Sequence, residues 1–286
     1  MATDREATAF ALILARASAA SGIDFGGYRL AVMTRRVHHR AAATACDSLE
    51  DYLQRLDGEP DEVERLIDAL LIKTTELFRE PGTLELLRRA LPDVIERRVA
   101  EGDSQLRAWV AGCSTGEEAF SVAAVLLSVT ERLEHPVSVR VFGSDADPRA
   151  LDRARRGVVL PKLVPSAVED WAQRWFSPSP EGLVVAPAIR AITTFACHDL
   201  LDDAQPAPPD AVLASFDVIS CRNVLIYLEE PHRRRVLDRL ISAVDPGGLL
   251  MLGDAESAPL EETTGLLRLA PGVPLYCHAF GESQLS

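Results

Sequence analysis

The decisive stretch of this chain reads Leu106-Arg107-Ala108-Trp109-Val110-Ala111-Gly112-Cys113-Ser114-Thr115-Gly116-Glu117-Glu118. Its first six residues have the composition of a buried strand, and the glycine-bounded turn after them opens a helix predicted to run to Leu133. Glycines in such a turn let the backbone approach a nucleotide or amino-acid ligand closely, and the free N–H groups of the helix start add polarity. The turn lacks the full Gly-x-Gly-x-x-Gly spacing, so the pattern only weakly favours a dinucleotide site.

Two acids, Glu117 and Glu118, occupy the first turn of that helix. The helix dipole favours acids at this position, which is a purely structural explanation for them. The same acids would repel a pyrophosphate but would suit a cationic ligand, such as the ammonium or sulfonium group of S-adenosylmethionine. They therefore favour S-adenosylmethionine over a dinucleotide.

A second strand is followed at once by Asp145 and Asp147. In nucleotide-binding α/β folds, an acid at this strand end accepts hydrogen bonds from ribose hydroxyls. Asp147 precedes Pro148 and also fits the cap of the next helix, so Asp145 is the better candidate ribose ligand.

The order of predicted elements indicates an α/β fold with a mostly parallel sheet covered by helices on both faces. Residues 1–72 read as an all-helical N-terminal domain, residues 73–103 as a linker segment and helix, and residues 104–286 as the ligand-binding domain. Within the last of these, a small β-rich insert is expected at about residues 171–195. Strands are predicted at 106–111, 139–144, 192–196, 216–221, 249–252, 266–269 and 273–278.

Composition narrows the class of protein. A chain of 286 residues with 47% hydrophobic residues can bury a sizeable core, and its net charge of −13 argues against a general affinity for nucleic acid. The five cysteines are scattered without metal-binding spacing, so free thiols in a reducing cytosol are expected, with no metal. The start of the chain lacks the pattern of a signal peptide, and its longest apolar stretch is too short to insert in a membrane. The sequence predicts a cytoplasmic protein.

Four segments resemble signatures of the chemotaxis receptor methyltransferases, the CheR-type protein-glutamate O-methyltransferases. Three are specific: Thr75-Glu76-Leu77-Phe78-Arg79-Glu80-Pro81, Trp109 to Glu118, and Phe216-Asp217-Val218-Ile219-Ser220-Cys221-Arg222-Asn223-Val224-Leu225-Ile226-Tyr227. A looser fourth match is Gly253-Asp254-Ala255-Glu256-Ser257, where the family usually has Gly-x-Ser-Glu. The resemblance covers roughly residues 20 to 278. It implies a class I S-adenosylmethionine-dependent methyltransferase fold (Rossmann-like), a small all-helical N-terminal domain and a small antiparallel β-subdomain.

The resemblance also implies roles for individual residues. Arg79 would bind the carboxylate of the cofactor, S-adenosyl-L-methionine, beside the transferable methyl, and Tyr227 would face that methyl. These two are the candidate catalytic residues. The remaining candidate cofactor-binding residues are Lys73, Thr75, Glu118 (amino group), Asp145 (ribose), and Asp199, Leu200, Arg222 and Asn223 along the adenosine.

Three positions depart from the family pattern. Lys73 stands where the family usually has Asn, Leu77-Phe78 replaces a commoner double Phe, and Asp199 replaces a common Asn. Arg79, Glu118, Asp145 and Tyr227 are all present, so an active enzyme is expected that leaves S-adenosyl-L-homocysteine as its product. A core aromatic role explains Tyr227 about equally well on the residues alone.

A basic stretch near the N-terminus is the other informative feature. Between Asp24 and Asp47 the chain has no acid, but Arg29, Arg36 and Arg40 fall on one helical face, with Arg35, His38 and His39 close by. Leu30, Met33, Val37 and Ala41 form an adjacent apolar stripe expected to face the core. A solvated basic face is the plain explanation. In so acidic a chain, docking of an acidic partner is favoured. The resemblance implies that this partner is the cytoplasmic helical region of a chemotaxis-type receptor.

Two other functions compete with receptor methylation by a monomeric enzyme. One is a non-catalytic module that binds S-adenosylmethionine and regulates a chemosensory pathway by docking, for which Lys73 is the best hint. The other is a small-molecule methyltransferase, which would have no need of a basic helical domain. His198, beside Asp199, is expected to be structural because adjacent strand residues point to opposite faces.

Overall fold

The computed structural model describes residues 2–72, 75–160, 168–211, 215–256 and 265–279. The chain divides into two compact units. The helical unit comprises Met1–Ile72 together with Tyr227–Arg234, and the α/β unit comprises Lys73–Ile226 together with Arg235–Ser286. No helix of the described residues is both long enough and apolar enough to cross a membrane.

Residues 2–72 of the helical unit form four α-helices: α1 (Ala2–Ser21), α2 (Leu30–Ala43), α3 (Leu49–Gly58) and α4 (Pro60–Leu70). Helix α3 begins at Leu49, because the Ser48 hydroxyl accepts a hydrogen bond from the Asp51 N–H at 3.1 Å and so caps it. On α2, Met33, Val37 and Ala41 are buried as expected, but Leu30 is 61% exposed. The prediction that Leu30 belongs to the buried stripe is wrong, because Leu30 is the first helical residue and lies beyond the packed face.

The helices of the α/β unit are α5 (Pro81–Ala100), α6 (Glu117–Thr130), α7 (Pro148–Arg156), α8 (Glu169–Ala172) and α9 (Pro187–Ile192). Helix α10 (Glu230–Ala243) begins within the segment that belongs to the helical unit. The strands are β1 (Gln105–Ala111), β2 (Ser138–Asp145), β3 (Val158–Val159), β4 (Phe176–Ser179), β5 (Gly182–Val185), β6 (Thr193–Cys197), β7 (Phe216–Cys221), β8 (Val244–Leu252), β9 (Leu266–Ala270) and β10 (Val273–His278).

Seven strands form the central sheet in the order β6-β2-β1-β7-β8-β10-β9. The pairs from β6 through β8 are parallel, and β10 runs antiparallel to both β8 and β9. Parallel strands must be buried on both faces, which is why six of the seven residues of β1 are buried. The predicted mostly parallel α/β fold is confirmed. The strand order places β1 at the point where the chain reverses its direction of winding, between β2 and β7.

A separate three-stranded antiparallel sheet, in the order β3-β5-β4, makes up the small β-subdomain. The sequence predicts this insert at about residues 171–195, but its first strand is Val158–Val159 and its last is Gly182–Val185. Thr193–Cys197 is the edge strand of the central sheet instead. The two-residue strand β3 is too short to show alternation, so the pattern of the sequence does not reveal it.

Candidate functional site

Six of the nine predicted cofactor-binding residues lie at the carboxyl ends of β1, β2, β6 and β7 or in the segments that follow these strands. These four parallel strands are neighbours in the central sheet, so their carboxyl ends lie along one edge. Ligands of open α/β sheets bind outside this edge where the strand order reverses. The edge between β1 and β7 is therefore the expected place for a nucleotide-like ligand.

The turn after β1 is held by the end of β2. The Cys113 N–H donates to the Ser144 carbonyl at 2.9 Å, and the Ser114 N–H donates to Asp145 Oδ2 at 2.7 Å. Gly112 has φ +70°, and a Cβ added there would lie 2.4 Å from Val224 Cγ2 in the loop after β7. Glycine is needed here both for the backbone conformation and for the close approach of these two loops.

Asp145 and Asp147 make different contacts, and Asp147 caps the next helix as the sequence predicts. The Asp147 carboxylate caps α7 by accepting the Arg149 N–H at 3.0 Å. Asp145 is only half-buried, and its two oxygens accept the N–H groups of Ser114 and Asp147. A carboxylate is an acceptor group suited to ribose hydroxyls, and the role of Asp145 toward the ribose stays a prediction.

Glu118 and Arg222 form the charged centre of the site. The Ser220 hydroxyl donates to Glu118 Oε1 at 2.5 Å, and Arg222 Nη1 lies 4.0 Å from Glu118 Oε2. Burial raises the pKa of Glu118, and the Arg222 guanidinium and the Ser220 hydroxyl oppose that rise. Glu117 differs from its neighbour, because its carboxylate accepts the hydroxyl of Thr115. The structure thus separates two acids that the sequence presents as a pair.

Arg79 lies in the segment before α5, and its carbonyl accepts a hydrogen bond from Arg222 Nη2 at 2.8 Å. This contact ties the predicted catalytic segment to the end of β7. The Arg79 side chain is 30% exposed. Thr75 is half-buried in the same segment, whereas Lys73 lies outside the described residues.

Glu256 is a residue of this site that the sequence analysis missed. Its carboxylate accepts three backbone N–H groups, from Gly253 and Asn223 at 2.8 Å each and from Ile226 at 3.2 Å. Asn223 has a left-handed backbone with φ +60°, which these bonds help to hold. The signal available in the sequence was the looser fourth signature, which contains this glutamate.

The loop after β6 is held from two sides. Arg239 of α10 donates to the carbonyls of Leu200 and Asp202 at 2.8 and 3.0 Å. His198 is 3% exposed, and its Nε2 lies 2.8 Å from the Gln205 carbonyl. Burial lowers the pKa of His198, so its neutral form is favoured and the expectation of a structural histidine agrees with these contacts. Asp199 and Leu200 are positioned by this framework, and their contact with adenosine stays a prediction.

Two of the three predicted docking cations have partners inside the helical unit. Arg40 donates two hydrogen bonds to the carboxylate of Glu62, which is fully buried, at 2.7 and 2.6 Å. Arg36 Nη1 donates to the Ala69 carbonyl at 2.6 Å. These guanidinium groups hold α2 against α4, so the expectation that both are open for docking needs correction. Arg29 is exposed, as is Arg35, and neither has an ion-pair partner among the described residues.

Tyr227 belongs to the helical unit, unlike the other predicted catalytic residue. It is half-buried, and its carbonyl accepts the Arg29 N–H at 2.8 Å. The adjacent Leu228 forms a β-bridge with Tyr28. The role of Tyr227 toward the transferable methyl group stays a prediction.

The residues at the sheet edge fit the cofactor expected from the sequence. Glu118, whose side chain is 13% exposed, supplies a carboxylate suited to an ammonium group, and Asp145 supplies a carboxylate at the strand end suited to ribose hydroxyls. Ser114 Oγ and Asn223 Oδ1 are buried polar atoms that lack a hydrogen-bond partner within the described part of the chain, as expected of groups that meet a polar ligand. Among the described residues, no group of three or more His, Cys, Asp or Glu could hold a metal ion.

Comparison with known proteins gives the same answer for both units. Residues 8–71 match the family model "CheR methyltransferase, all-alpha domain", and residues 73–270 match "CheR methyltransferase, SAM binding domain". "Chemotaxis protein methyltransferase 2" of Vibrio cholerae is 30% identical over 241 residues, which cover 83% of this chain and 81% of that protein.

Two other relatives are longer than this chain. "Probable biofilm formation methyltransferase WspC" of Pseudomonas aeruginosa is 32% identical over 84% of this chain and 55% of that protein. An uncharacterized 104.1 kDa protein of Rhodobacter capsulatus is 31% identical over 82% of this chain, but only 24% of its own length is matched. The chain thus spans about a quarter to about half of these two proteins. With both family models matched in order, this chain belongs to the CheR methyltransferase family and has its class I fold for S-adenosyl-L-methionine.

Proposed function

We propose that this chain is a protein-glutamate O-methyltransferase that esterifies glutamate side chains on the cytoplasmic helical region of a chemotaxis-type receptor. The observation that carries the proposal is the attachment of the Arg79 segment to the sheet edge through Arg222, which also faces Glu118. A guanidinium and a cofactor-binding carboxylate are thereby held on one framework. The Vibrio cholerae relative, named as a chemotaxis protein methyltransferase, supports the same substrate class.

The chemistry asks little of the protein beyond positioning. When bound, S-adenosyl-L-methionine supplies an electrophilic methyl group on a sulfonium and departs as S-adenosyl-L-homocysteine. A substrate glutamate is ionised at pH 7, so no general base is required. In this proposal Arg79 holds a carboxylate by charge-assisted hydrogen bonds, and Tyr227 donates a further hydrogen bond that orients the nucleophile, the carboxylate of the substrate glutamate. Both contacts must stay moderate, because holding the nucleophile too firmly would stabilise the ground state.

The helical unit serves as the docking module for the receptor in this proposal. Its exposed cations, Arg29 and Arg35, stand in a chain of net charge −13, and so they offer a local attraction for acidic helices. Esterification neutralises one negative charge on the receptor for each methyl transferred. Methylation by such an enzyme would therefore change receptor signalling by reducing the charge repulsion between receptor helices.

Methyl transfer is tested with labelled S-adenosyl-L-methionine and purified cytoplasmic receptor fragments. The expected product is label on the receptor that mild base releases, because the bond is an ester. Arg79→Ala should abolish most transfer, whereas Arg89→Ala, which changes an exposed arginine of α5 outside the site, should leave it unchanged. Cofactor binding without transfer to any acidic helical fragment would refute the proposal and would favour a regulatory module.

Docking is tested by charge reversal on α2 and just before it. Arg29→Glu combined with Arg35→Glu should raise KM for the receptor at low salt and leave cofactor affinity unchanged. The matched control is Arg132→Glu with Arg140→Glu, which makes the same change in net charge on exposed arginines of the α/β unit. If both double variants weaken methylation equally, or if salt has no effect, receptor docking by this surface is wrong.

A further inference from the structure

The backbone on both sides of Arg79 is strained. Phe78 has φ +52° and Glu80 has φ +53°, and neither is glycine. Residues with a side chain enter the left-handed region only at a cost in free energy, and they stay there when their surroundings hold them. Two such residues flanking a predicted catalytic arginine require specific restraints.

The first restraint acts on Phe78. Its N–H donates to the Ser121 hydroxyl of α6 at 2.9 Å. Its fully buried ring packs edge-on against Trp171 and Phe176, with centroids 5.7 and 5.5 Å away. This residue is thus anchored in the core of the α/β unit, which accounts for one side of the turn.

The second restraint acts on Glu80 through Arg222. Arg222 Nη2 donates to Glu80 Oε2 at 2.6 Å and to the Arg79 carbonyl at 2.8 Å, so one nitrogen closes a small ring around the turn. The Arg222 side chain is 1% exposed, and its other terminal nitrogen faces Glu118. The guanidinium is therefore engaged by protein groups, and the position of Arg222 along the adenosine stays a prediction.

We propose that Glu80 and Arg222 are positioning residues for methyl transfer, which act by fixing the strained turn that presents Arg79 to the cofactor. The inference rests on the role proposed for Arg79 above. Glu80 and Arg222 are 142 positions apart in the chain, and a buried ion pair holds its geometry only if both partners are present. If either partner is lost, the turn that carries Arg79 is held only through Phe78.

Binding of S-adenosyl-L-homocysteine, measured by isothermal titration calorimetry on the full chain, tests the proposal. Glu80→Gln should weaken binding about tenfold, because a charge-assisted contact is lost at the base of the turn. In the Arg79→Ala background, Glu80→Gln should weaken it no further, because a residue that acts through Arg79 has no effect once that side chain is gone. Glu85→Gln is the matched control: it removes a carboxylate paired with arginine on α5 away from the site and should leave affinity unchanged.

Glu80→Gly separates positioning from backbone stability. Glycine relieves the backbone strain at φ +53° but also removes the carboxylate partner of the buried Arg222 guanidinium, so the unfolding temperature reports the sum of two opposing effects. Affinity should fall as in Glu80→Gln, because the turn loses its contact with Arg222 although its backbone strain is gone. The proposal is overturned if Glu80→Gly binds like the native chain, or if Glu80→Gln has the same effect with and without Arg79. It is also overturned if Arg79→Ala alone leaves binding intact. This assay contains no receptor, so failure of methyl transfer to receptor fragments would refute the proposed function and leave this result standing.

Discussion

Glu118→Gln offers the most direct examination of the cofactor site. The substitution keeps the size of the side chain and the acceptor for the Ser220 hydroxyl, and it removes only the negative charge. In the structure the Glu118 side chain is 13% exposed, and its Oε2 lies 4.0 Å from Arg222 Nη1. A cationic ammonium group in this position would gain a charge-assisted hydrogen bond from Glu118 and only a neutral one from glutamine.

The expected loss of affinity follows from that difference. A hydrogen bond to a charged group contributes about 1.5–3 kcal/mol, which corresponds to a roughly tenfold to hundredfold rise in the Kd of S-adenosyl-L-methionine. Stability should not fall with affinity, because burial already disfavours the ionised form of Glu118 and raises its pKa. The melting temperature should therefore stay within a few degrees of the native value.

Calorimetric titration at pH 7.5 measures this effect, with Glu117→Gln as the control. Glu117 stands in the same helical turn with the same charge, but its carboxylate is occupied by the Thr115 hydroxyl. Its replacement should change the Kd by less than about threefold. Both variants lose one negative charge from the first turn of α6, which the helix dipole makes worth less than ~1 kcal/mol, so a larger loss in Glu118→Gln alone cannot come from the helix dipole. Equal losses in both variants, or a Kd within twofold of native for Glu118→Gln, would refute the assignment of Glu118 to the ammonium group.

The same titration repeated at lower pH gives a second check. Burial raises the pKa of Glu118, with Glu256 and Glu80 adding to the rise and Arg222 opposing it. Native affinity should weaken as the pH falls toward that raised pKa, because the protonated carboxyl no longer attracts an ammonium group. The Glu118→Gln variant should lack this dependence. A native profile as flat as that of the variant would contradict the argument.

Three further predictions concern stability and are checked by urea unfolding. Gly112→Ala should lower the free energy of unfolding by about 2–4 kcal/mol, because φ is +70° and the new methyl lies 2.4 Å from Val224 Cγ2; a loss that Val224→Ala fails to reduce would contradict the clash. Asp217→Ala should cost about 3–5 kcal/mol, since it leaves Arg98 Nε, 3.2 Å away, without its buried partner; a loss under about 1 kcal/mol would show that the pair is unimportant. Burial lowers the pKa of His198, so the unfolded chain binds the proton more readily and stability should fall as the pH drops below about 6.5. The His198→Asn variant should show a shallower fall, and equal slopes would exclude this residue as the cause.

Most of the central sheet and the position of the site could be predicted because they depend on short-range patterns. Strands β7 (Phe216–Cys221) and β10 (Val273–His278) have the bounds that the sequence predicts, because a strand is a local, mostly apolar segment with turn residues beside it. Glu118 and Asp145 could be identified because each directly follows a recognisable strand or turn. In a parallel sheet, such residues come together at one edge whatever the rest of the chain does.

The sequence alone therefore determined the α/β class, the cofactor and the family, while tertiary structure decided how the arginines are used. Helical spacing put Arg36 and Arg40 on one face, but only packing against α4 shows that this face meets Glu62 and a carbonyl. The sequence predicts Arg222 beside the adenosine, but it gives no sign of the contacts that its side chain makes 142 and 143 positions earlier in the chain. Long charged side chains reach several neighbours, and their choice depends on which groups are buried nearby, information that local sequence does not contain.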